Sequence, residues 1–338
     1  MGLVQILTPA CEITGGEKTA KTIQDNLISC TVVDASGVKS DSITITLNAD
    51  GLDRWPETGQ EIGCKMGYLE NEKLGDLGKF KLNRISESLY PNIMTLSGTA
   101  ASFQEKDTTG LKQSRWQTWE ATTIGNVVRT IAKRHGYSPR VNPVLGELFV
   151  LHLDQTGETD LKFLTRLASY YDAVCKPVGK LLVFTEKGQI KSISGIKLTP
   201  VVITHPVDNN PNNPAYVKGN ISSTDKSKHA GFKASWYDAQ SASQQTVSNG
   251  TGPQQKLGKV YDSQQAAEYA IAARASMMNR QGEKLTLDCP GNELLAAEAL
   301  LTLEHFPIGR IGGQWSIDQV RHQYDGKYRC GVEATRPK

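Results

Sequence analysis

Two short segments near opposite ends of this chain follow one pattern. Residues 78–85 and 313–320 each begin with glycine, place an aromatic residue two positions later, and continue with aliphatic residues at two further positions. Such spacing of apolar residues is typical of a half-buried strand. In both cases a turn and a second alternating segment follow, at 93–96 and 328–332. The pattern predicts two similar β-hairpins, which are either copies of one β unit or unrelated hairpins within larger sheets.

The composition limits the kinds of protein that this chain can be. Its 338 residues suffice for two or three domains, each with its own core, and 38% of them are apolar. That share is low and suits β domains with much solvated surface, or surfaces that meet other subunits. A formal net charge of only +3 argues against a nucleic-acid-binding protein, which concentrates lysine and arginine on one face.

The first 105 residues are expected to be almost entirely β. Short apolar segments alternate with turn-forming residues such as those at 48–51. Five or six strands at this spacing indicate a small barrel or sandwich. The candidate strands are 27–34, 42–47, 61–68, 78–87 and 92–99.

Near residue 106 the pattern changes to helical periodicity. Residues 122–136 predict a helix with a threonine cap at its start and a closing glycine. A second apolar stripe of helical period follows Thr159. Residues 173–178 and 180–185 predict a hairpin. We therefore expect a compact α+β domain over residues 106–200.

Residues 201–338 are expected to form a second β domain that contains one helix. Its predicted elements are strands at 215–222 and 231–238 and a helix at 262–280. The polar segment 239–255 is expected to be a long mobile loop, or a segment that only a partner orders. Residues 294–306 suit a helix or a strand, and we favour a short turn followed by a strand, because the next hairpin needs a neighbour.

The six cysteines follow no recognised metal or disulfide pattern. None are arranged as C-x-x-C, and none lies beside a histidine at metal-ligand spacing. Several lie in apolar strand segments, as Cys30 does, so buried free thiols are the favoured interpretation. Of the scattered histidines, His135 suits the cation at a helix C-terminus and His322 suits a strand surface. The sequence thus predicts no metal site and no cofactor.

One polar cluster could carry chemistry. Residues 152–160 hold a histidine and three carboxylates, and Asp154 with Glu158 would suit a glycosidase that attacks the cell wall. The favoured alternative is a turn at Asp154, a helix N-cap at Thr159 and an acidic first helical turn at Asp160. Nucleotide-binding, metalloprotease and hydrolase motifs are absent from the sequence. No catalytic residue is therefore predicted.

A second cluster is aromatic. Trp116 and Trp119, with Arg115, could stack on bases or sugars. The favoured alternative is that they anchor the junction between the first barrel and the middle domain.

The first residues lack the charged region and the apolar run of a signal peptide. No segment approaches the ~20 apolar residues of a membrane span. We therefore expect folding in a reducing cytoplasm and no membrane insertion.

In their order and spacing, several motifs resemble the phage late control D family, the hub proteins of contractile tails. The same architecture occurs in the N-terminal part of VgrG spike proteins of type VI secretion. The most specific motif is 152–156, continuing through Glu158, Asp160, Phe163, Leu164 and Leu167. The other carriers are 27–37 with Ser40 and Asp41, 56–59, Gly67 and Tyr68, 75–80, 119–125 and 315–322.

The resemblance implies an assembly role, with no catalytic, cofactor or metal residues. It implies two related tail-tube-like β-barrels, at 1–105 and 201–338, which flank the α+β domain at 106–200. Three chains would then form a homotrimeric ring with approximate six-fold symmetry. One face would match the hexameric tail tube protein, and the other would seat the trimeric central spike protein.

Tape-measure and baseplate wedge proteins are the further partners that the resemblance implies, and DNA would only pass through the lumen. The implied location is the tail baseplate of a virion, assembled in the cytoplasm of the host bacterium. A cell-wall-degrading tail enzyme and a nucleic-acid-binding regulator remain the alternative functions.

Overall fold

The computed structural model describes residues 7–36, 40–50, 52, 55–100, 113–178, 181–187, 200–223, 231–306, 309 and 311–337. Over these residues the chain is mainly β, as the sequence predicts. The strands are β1 (Pro9–Gly15), β2 (Leu27–Ala35), β3 (Ser42–Asn48), β4 (Glu61–Tyr68), β5 (Gly75–Ser88), β6 (Ile93–Ala100), β7 (Ser114–Thr123), β8 (Ser138–Val141), β9 (Phe149–Thr159), β10 (Ala173–Val178), β11 (Leu181–Glu186), β12 (Val201–Thr204), β13 (Lys218–Ser223), β14 (Gly231–Asp238), β15 (Ser243–Asn249), β16 (Gln254–Tyr261), β17 (Glu283–Pro290), β18 (Leu300–Glu304), β19 (Gly313–Tyr324) and β20 (Tyr328–Thr335).

The helices of the described residues are α1 (Glu17–Asp25), α2 (Ile124–Arg134), α3 (Pro143–Glu147), α4 (Asp160–Ser169) and α5 (Gln264–Gly282). None of them is long and apolar enough to cross a membrane.

The chain folds into two compact units, each assembled from separate stretches of sequence. The first unit comprises Met1–Glu105, Thr199–Ile221 and Leu285–Ala334. The second comprises Lys106–Leu198, Ser222–Lys284 and Thr335–Lys338, so α5 belongs to the same unit as α2 and α4. The division of the chain into three successive domains, at 1–105, 106–200 and 201–338, stays a prediction.

In the first unit, one strand order occurs twice. The early strands lie in the order β1-β4-β5-β6-β3-β2, and the late strands in the order β12-β18-β19-β20-β17-β13. When each set is numbered from one to six along the chain, both orders read 1-4-5-6-3-2. The first pairing of each set differs in direction, since β1 is antiparallel to β4 whereas β12 is parallel to β18. We call these sets the first and second repeat. Together they form one sheet that branches at β19, which pairs with β2, β18 and β20, and among the described residues the sheet order alone does not close either repeat into a barrel.

The two hairpins that look alike in sequence occupy the same place in the two repeats. They are β5 with β6 and β19 with β20, at positions five and six. Gly78 and Gly313 have φ angles of 104° and 96°, in the region that favours glycine. The aromatic residues two positions later, Phe80 and Trp315, are 1% and 0% exposed. The shared sequence pattern therefore encodes a backbone kink followed by a large core side chain.

The second unit has its own hydrophobic core. Helices α2, α4 and α5 begin at hydroxyl caps, because Thr123, Thr159 and Ser263 each accept a hydrogen bond from a backbone N–H three residues later. Trp119 lies in this core, stacked against Phe163 with ring centroids 6.3 Å apart. The core also contains Val128, Ile131, Leu164, Leu167, Phe184, Phe232, Ala267 and Ile271.

The polar segment 239–255 is not a loop, and that prediction was wrong. Residues Ser243–Asn249 form β15, which pairs antiparallel with β14 along seven residues from Asp238 to Phe232. The side chains of β15 are mostly exposed, so its sequence lacks the apolar alternation that marks a half-buried strand. In contrast, the expected turn and strand within 294–306 are confirmed by β18.

The prediction of a turn at Asp154 was also wrong, because Asp154 lies inside the eleven-residue strand β9. The predicted N-cap at Thr159 is confirmed. Of the two tryptophans expected at a junction, Trp119 is a core residue, while Trp116 is 79% exposed.

His322 is a core residue and not the strand-surface residue that the sequence indicates. It is 1% exposed, and its Nε2 lies 3.1 Å from the carbonyl oxygen of Leu295. Because a carbonyl can only accept, Nε2 carries the hydrogen, and Nδ1 accepts from the Tyr328 hydroxyl at 2.8 Å. Burial lowers the pKa of His322 to about 4. The imidazole is therefore neutral in the folded chain at neutral pH.

We expect His322 to make stability fall as the pH is lowered from about 6.5 to about 4. In this window the unfolded chain binds a proton that the folded chain does not, so acid favours unfolding by up to about 3 kcal/mol. Urea unfolding of the wild type and of His322→Leu, measured at several pH values, checks this. The two curves of unfolding free energy against pH should differ in slope only in that window, and parallel curves would contradict the assignment.

Candidate assembly interface

The two repeats join through a pair of strands. The β2 strand, at position two of the first repeat, pairs antiparallel with β19, at position five of the second, from Ala35 opposite Gln319 to Cys30 opposite Tyr324. Val32 and Val320, on the strands of this junction, are 1% and 0% exposed. One buried junction thus links two copies of the same strand order.

Further hydrogen bonds hold this junction. The carboxylate of Asp34 on β2 accepts from the backbone N–H of Ala297 at 2.7 Å. The N–H of Ser36 donates to the carbonyl of Asp318, also at 2.7 Å. The β2–β19 contact is therefore held by hydrogen bonds in addition to those between the two strands, as expected of a specific interface between repeats.

The first repeat offers the same kind of edge as β19, but no strand of the described residues occupies it. Residues 75–81 of β5 pair with β4, and the backbone of Leu82 exchanges hydrogen bonds with Gly59 and Gln60. Beyond that point, residues 84–88 pair with β6 on one side. On the other side, none of the strands that the structure describes pairs with them. Most of their side chains are exposed, so this stretch is an accessible strand edge.

The second repeat offers the matching strand. β13 holds the same position as β2, and it ends the path of paired strands with β17 as its neighbour in the described part of the chain. The hydroxyl of Thr286 on β17 lies 3.5 Å from the carbonyl oxygen of Asn220, so that carbonyl faces β17. Backbone groups of successive residues in a strand point to opposite sides. The N–H groups of Gly219 and Ile221 therefore face the open edge.

The carboxylates suggested for a glycosidase are brought near one another but are not tuned for acid catalysis. Asp154 accepts one hydrogen bond from Thr118 at 2.9 Å and lies 2.9 Å from His152, and these contacts lower its pKa. Glu158 forms a salt bridge with Arg166 at 2.5 Å. A glycosidase needs one carboxyl group with a raised pKa. The pKa of Asp154 is shifted in the opposite direction, and Glu158 is held in an ion pair with Arg166.

A buried ionic cluster lies at the start of α4. Asp160 is 0% exposed, and its carboxylate contacts Arg134 at 2.9 Å, His135 at 2.7 Å and Gln155 at 2.8 Å. Burial alone would raise the pKa of Asp160, but hydrogen bonds from Gln155, His135 and Arg134 outweigh it, and the pKa is lowered. Every partner belongs to the second unit. The cluster therefore stabilises that unit. His135 and Asp160, which the sequence analysis treated as a helix C-terminal cation and as part of an acidic first helical turn, contact each other directly.

A sequence model of the phage tail baseplate hub (GPD) family matches residues 108–327. This chain belongs to that family. Its members are structural proteins of the tail baseplate and not enzymes. The predicted resemblance to the baseplate hub family is thus confirmed.

Two phage proteins are similar in sequence. The chain is 35% identical over 184 residues to a probable baseplate hub protein of Escherichia phage P2, covering 54% of this chain and 46% of that protein. It is 31% identical over 200 residues to the probable baseplate hub protein of Escherichia phage 186, covering 59% and 50%. The chain matches about half the length of these relatives.

Solved structures show the same fold at low sequence identity. A tail protein from Neisseria meningitidis is 11% identical with a TM-score of 0.65, and each chain covers 97% of the other. A 43 kDa tail protein of prophage MuSo2 from Shewanella oneidensis is 13% identical with a TM-score of 0.61, over 98% of this chain and 99% of that one. An E. coli component of the type VI secretion system is 13% identical with a TM-score of 0.55, over 93% and 74%.

Proposed function

We propose that this chain is a baseplate hub subunit of a contractile phage tail or a phage-tail-like particle, and that it works as a homotrimeric ring with approximate six-fold symmetry. The observation that carries the proposal is the strand order 1-4-5-6-3-2, which occurs twice in one chain. Three chains with two repeats each present six similar units. Such a ring is an adapter between a hexameric structure and a trimeric one.

The junction inside the chain supplies the geometry for the junction between chains. Within the chain, position two of the first repeat pairs with position five of the second. Between chains, β13 of one subunit would pair with residues 84–88 of β5 of the next. This contact joins two different surfaces, and it covers both the β13 edge and the β5 edge of every subunit once three subunits close a ring.

The ring accounts for the remaining proposed roles. Each repeat would form a small tail-tube-like β-barrel, with the second barrel within 201–338. One face would bind the hexameric tail tube protein and the other the trimeric central spike protein, with tape-measure and baseplate wedge proteins as further partners. A net charge of +3 suits a lumen through which DNA passes without being retained. Assembly would take place in the host bacterial cytoplasm.

Solution mass and electron microscopy of the purified chain test this proposal. We expect a particle of three times 36.9 kDa whose two-dimensional averages show six similar densities around a central opening. Addition of a trimeric spike should yield a complex of three hub and three spike chains. A stable monomer at micromolar concentration, unchanged by the spike, would overturn the proposal.

A further inference from the structure

Three cysteine side chains converge inside the first repeat. Cys11 on β1, Cys30 on β2 and Cys64 on β4 place their sulfur atoms within 4.8 Å of one another. The sulfur atoms of Cys30 and Cys64 are 3.7 Å apart. The three residues are 7%, 0% and 0% exposed. Cysteines separated by as many as 53 positions in sequence thus form one buried cluster.

The strand order makes this convergence informative. In the order β1-β4-β5-β6-β3-β2, the strands of Cys11 and Cys64 lie at one end and the strand of Cys30 at the other. No strand pair among the described residues connects these two ends. The first repeat therefore folds back on itself, so that thiols from its two ends meet in its core.

The distances suit a shared metal ion. A separation of 3.7 Å is far longer than a disulfide bond, which is about 2.0 Å. Zinc–thiolate bonds of about 2.3 Å place two sulfur ligands of a tetrahedral ion about 3.8 Å apart. A cation among the three sulfur atoms would need only small movements of the side chains.

A fourth sulfur lies on the same face. Met66 stands directly opposite Cys11 in the β1–β4 ladder, two residues beyond Cys64 on β4, and it is 0% exposed. Because side chains alternate along a strand, Cys64 and Met66 point to the same side as Cys11. Thiolate and thioether ligands favour soft cations such as Cu(I) and Zn²⁺ over Mg²⁺ and Ca²⁺.

The second repeat shows that the strands at positions one, two and four do not require cysteines for this strand order. Its strands at positions one, two and four, namely β12, β13 and β18, contain no cysteine. The repeat shares the strand order but lacks the cluster. The three thiols are thus a property of one repeat and not of the fold.

We propose that Cys11, Cys30 and Cys64 bind one thiophilic closed-shell cation, Cu(I) or Zn²⁺, which links the two ends of the first repeat. Each thiol that binds the ion as a thiolate releases its proton to solvent. Cys11 lies on the terminal strand of the path and is the most exposed of the three, so it is the point of entry. The ion stabilises the curled sheet by linking β2 to β1 and β4 across a gap that no ladder closes.

Native mass spectrometry and thermal unfolding of the full chain test this site, and neither depends on trimer formation. The chain is prepared with chelator and reductant and then mixed with Zn²⁺ alone or Cu(I) alone. We expect one ion per chain with at least one of these metals, and a higher unfolding temperature in its presence. Absence of any bound ion at equimolar metal would overturn the site.

Substitutions locate the ion. Cys30→Ala and Cys11→Ala should each weaken binding by at least about 100-fold, since even outer-shell changes commonly cost 10–100-fold. Cys175→Ala is the matched control, because Cys175 is a buried thiol of the second unit. If Cys30→Ala does not fold, Cys11→Ala decides. Undiminished binding by the folded cluster variants, or equal loss in Cys175→Ala, would contradict the assignment.

Discussion

Replacement of Ile221 by proline is expected to break the ring into monomers. The N–H of Ile221 faces the open edge of β13, because the neighbouring Asn220 carbonyl faces β17. Proline removes that N–H and is tolerated on an edge strand, so the subunit itself should fold. Loss of about 1 kcal/mol at each of three junctions weakens trimer formation by more than about 100-fold.

Light-scattering mass at several protein concentrations measures the effect. Ile221→Thr is the matched control, since it keeps the backbone N–H and a β-branched side chain and should remain trimeric. Circular dichroism should show the same secondary structure for both variants. A proline variant that is trimeric at the same concentrations as the wild type would show that β13 is not the contact strand. That result would leave the proposal of a trimeric ring unaffected.

Replacement of Asp160 by asparagine is expected to destabilise the second unit by about 3–5 kcal/mol. The carboxylate is fully buried and contacts Arg134 and His135. Asparagine keeps the volume of the side chain but leaves the buried His135 and the partly buried Arg134 without their anion. The loss of a charge partner outweighs the small change in shape.

Urea unfolding at neutral pH measures this loss of stability. Asp154→Asn is the control, because Asp154 is a carboxylate of the same unit whose side chain is 52% exposed. Its replacement should leave the urea midpoint nearly unchanged. The pKa of Asp160 lies below its ordinary value of 3.8. Its contribution is therefore present at neutral pH and is lost as the pH falls below that value. The two unfolding curves should converge in acid, and a variant as stable as the wild type at pH 7 would contradict the role of the cluster.

The helices and strands of this chain could be predicted from the sequence where one face of the helix or strand is buried. The β4 and β14 strands have the bounds that their apolar pattern indicates, and α2 and α4 begin at the threonine caps that the sequence predicts. These features depend on residues within a few positions of one another, so a short window contains the information.

The helices and strands that the sequence analysis missed have few buried side chains on either face. β15 is polar along most of its length because its side chains are exposed, and Asp154 lies in β9 with its carboxylate at the surface. α1 interrupts a region expected to be all β, and only one of its residues, Ile23, is buried. Backbone pairing holds strands such as β15 in place, and a sequence window does not reveal the partner.

The sequence by itself predicted two similar hairpins, each with a glycine followed two positions later by an aromatic residue, and left open whether they are copies of one unit. It also determined the family through the order of its motifs. Only the tertiary structure decided the repeated strand order, the junction of β2 with β19, the burial of His322 and the meeting of three cysteines from three strands. The physical reason is distance along the chain: these contacts join residues tens to hundreds of positions apart, and they form only when the sheet is assembled.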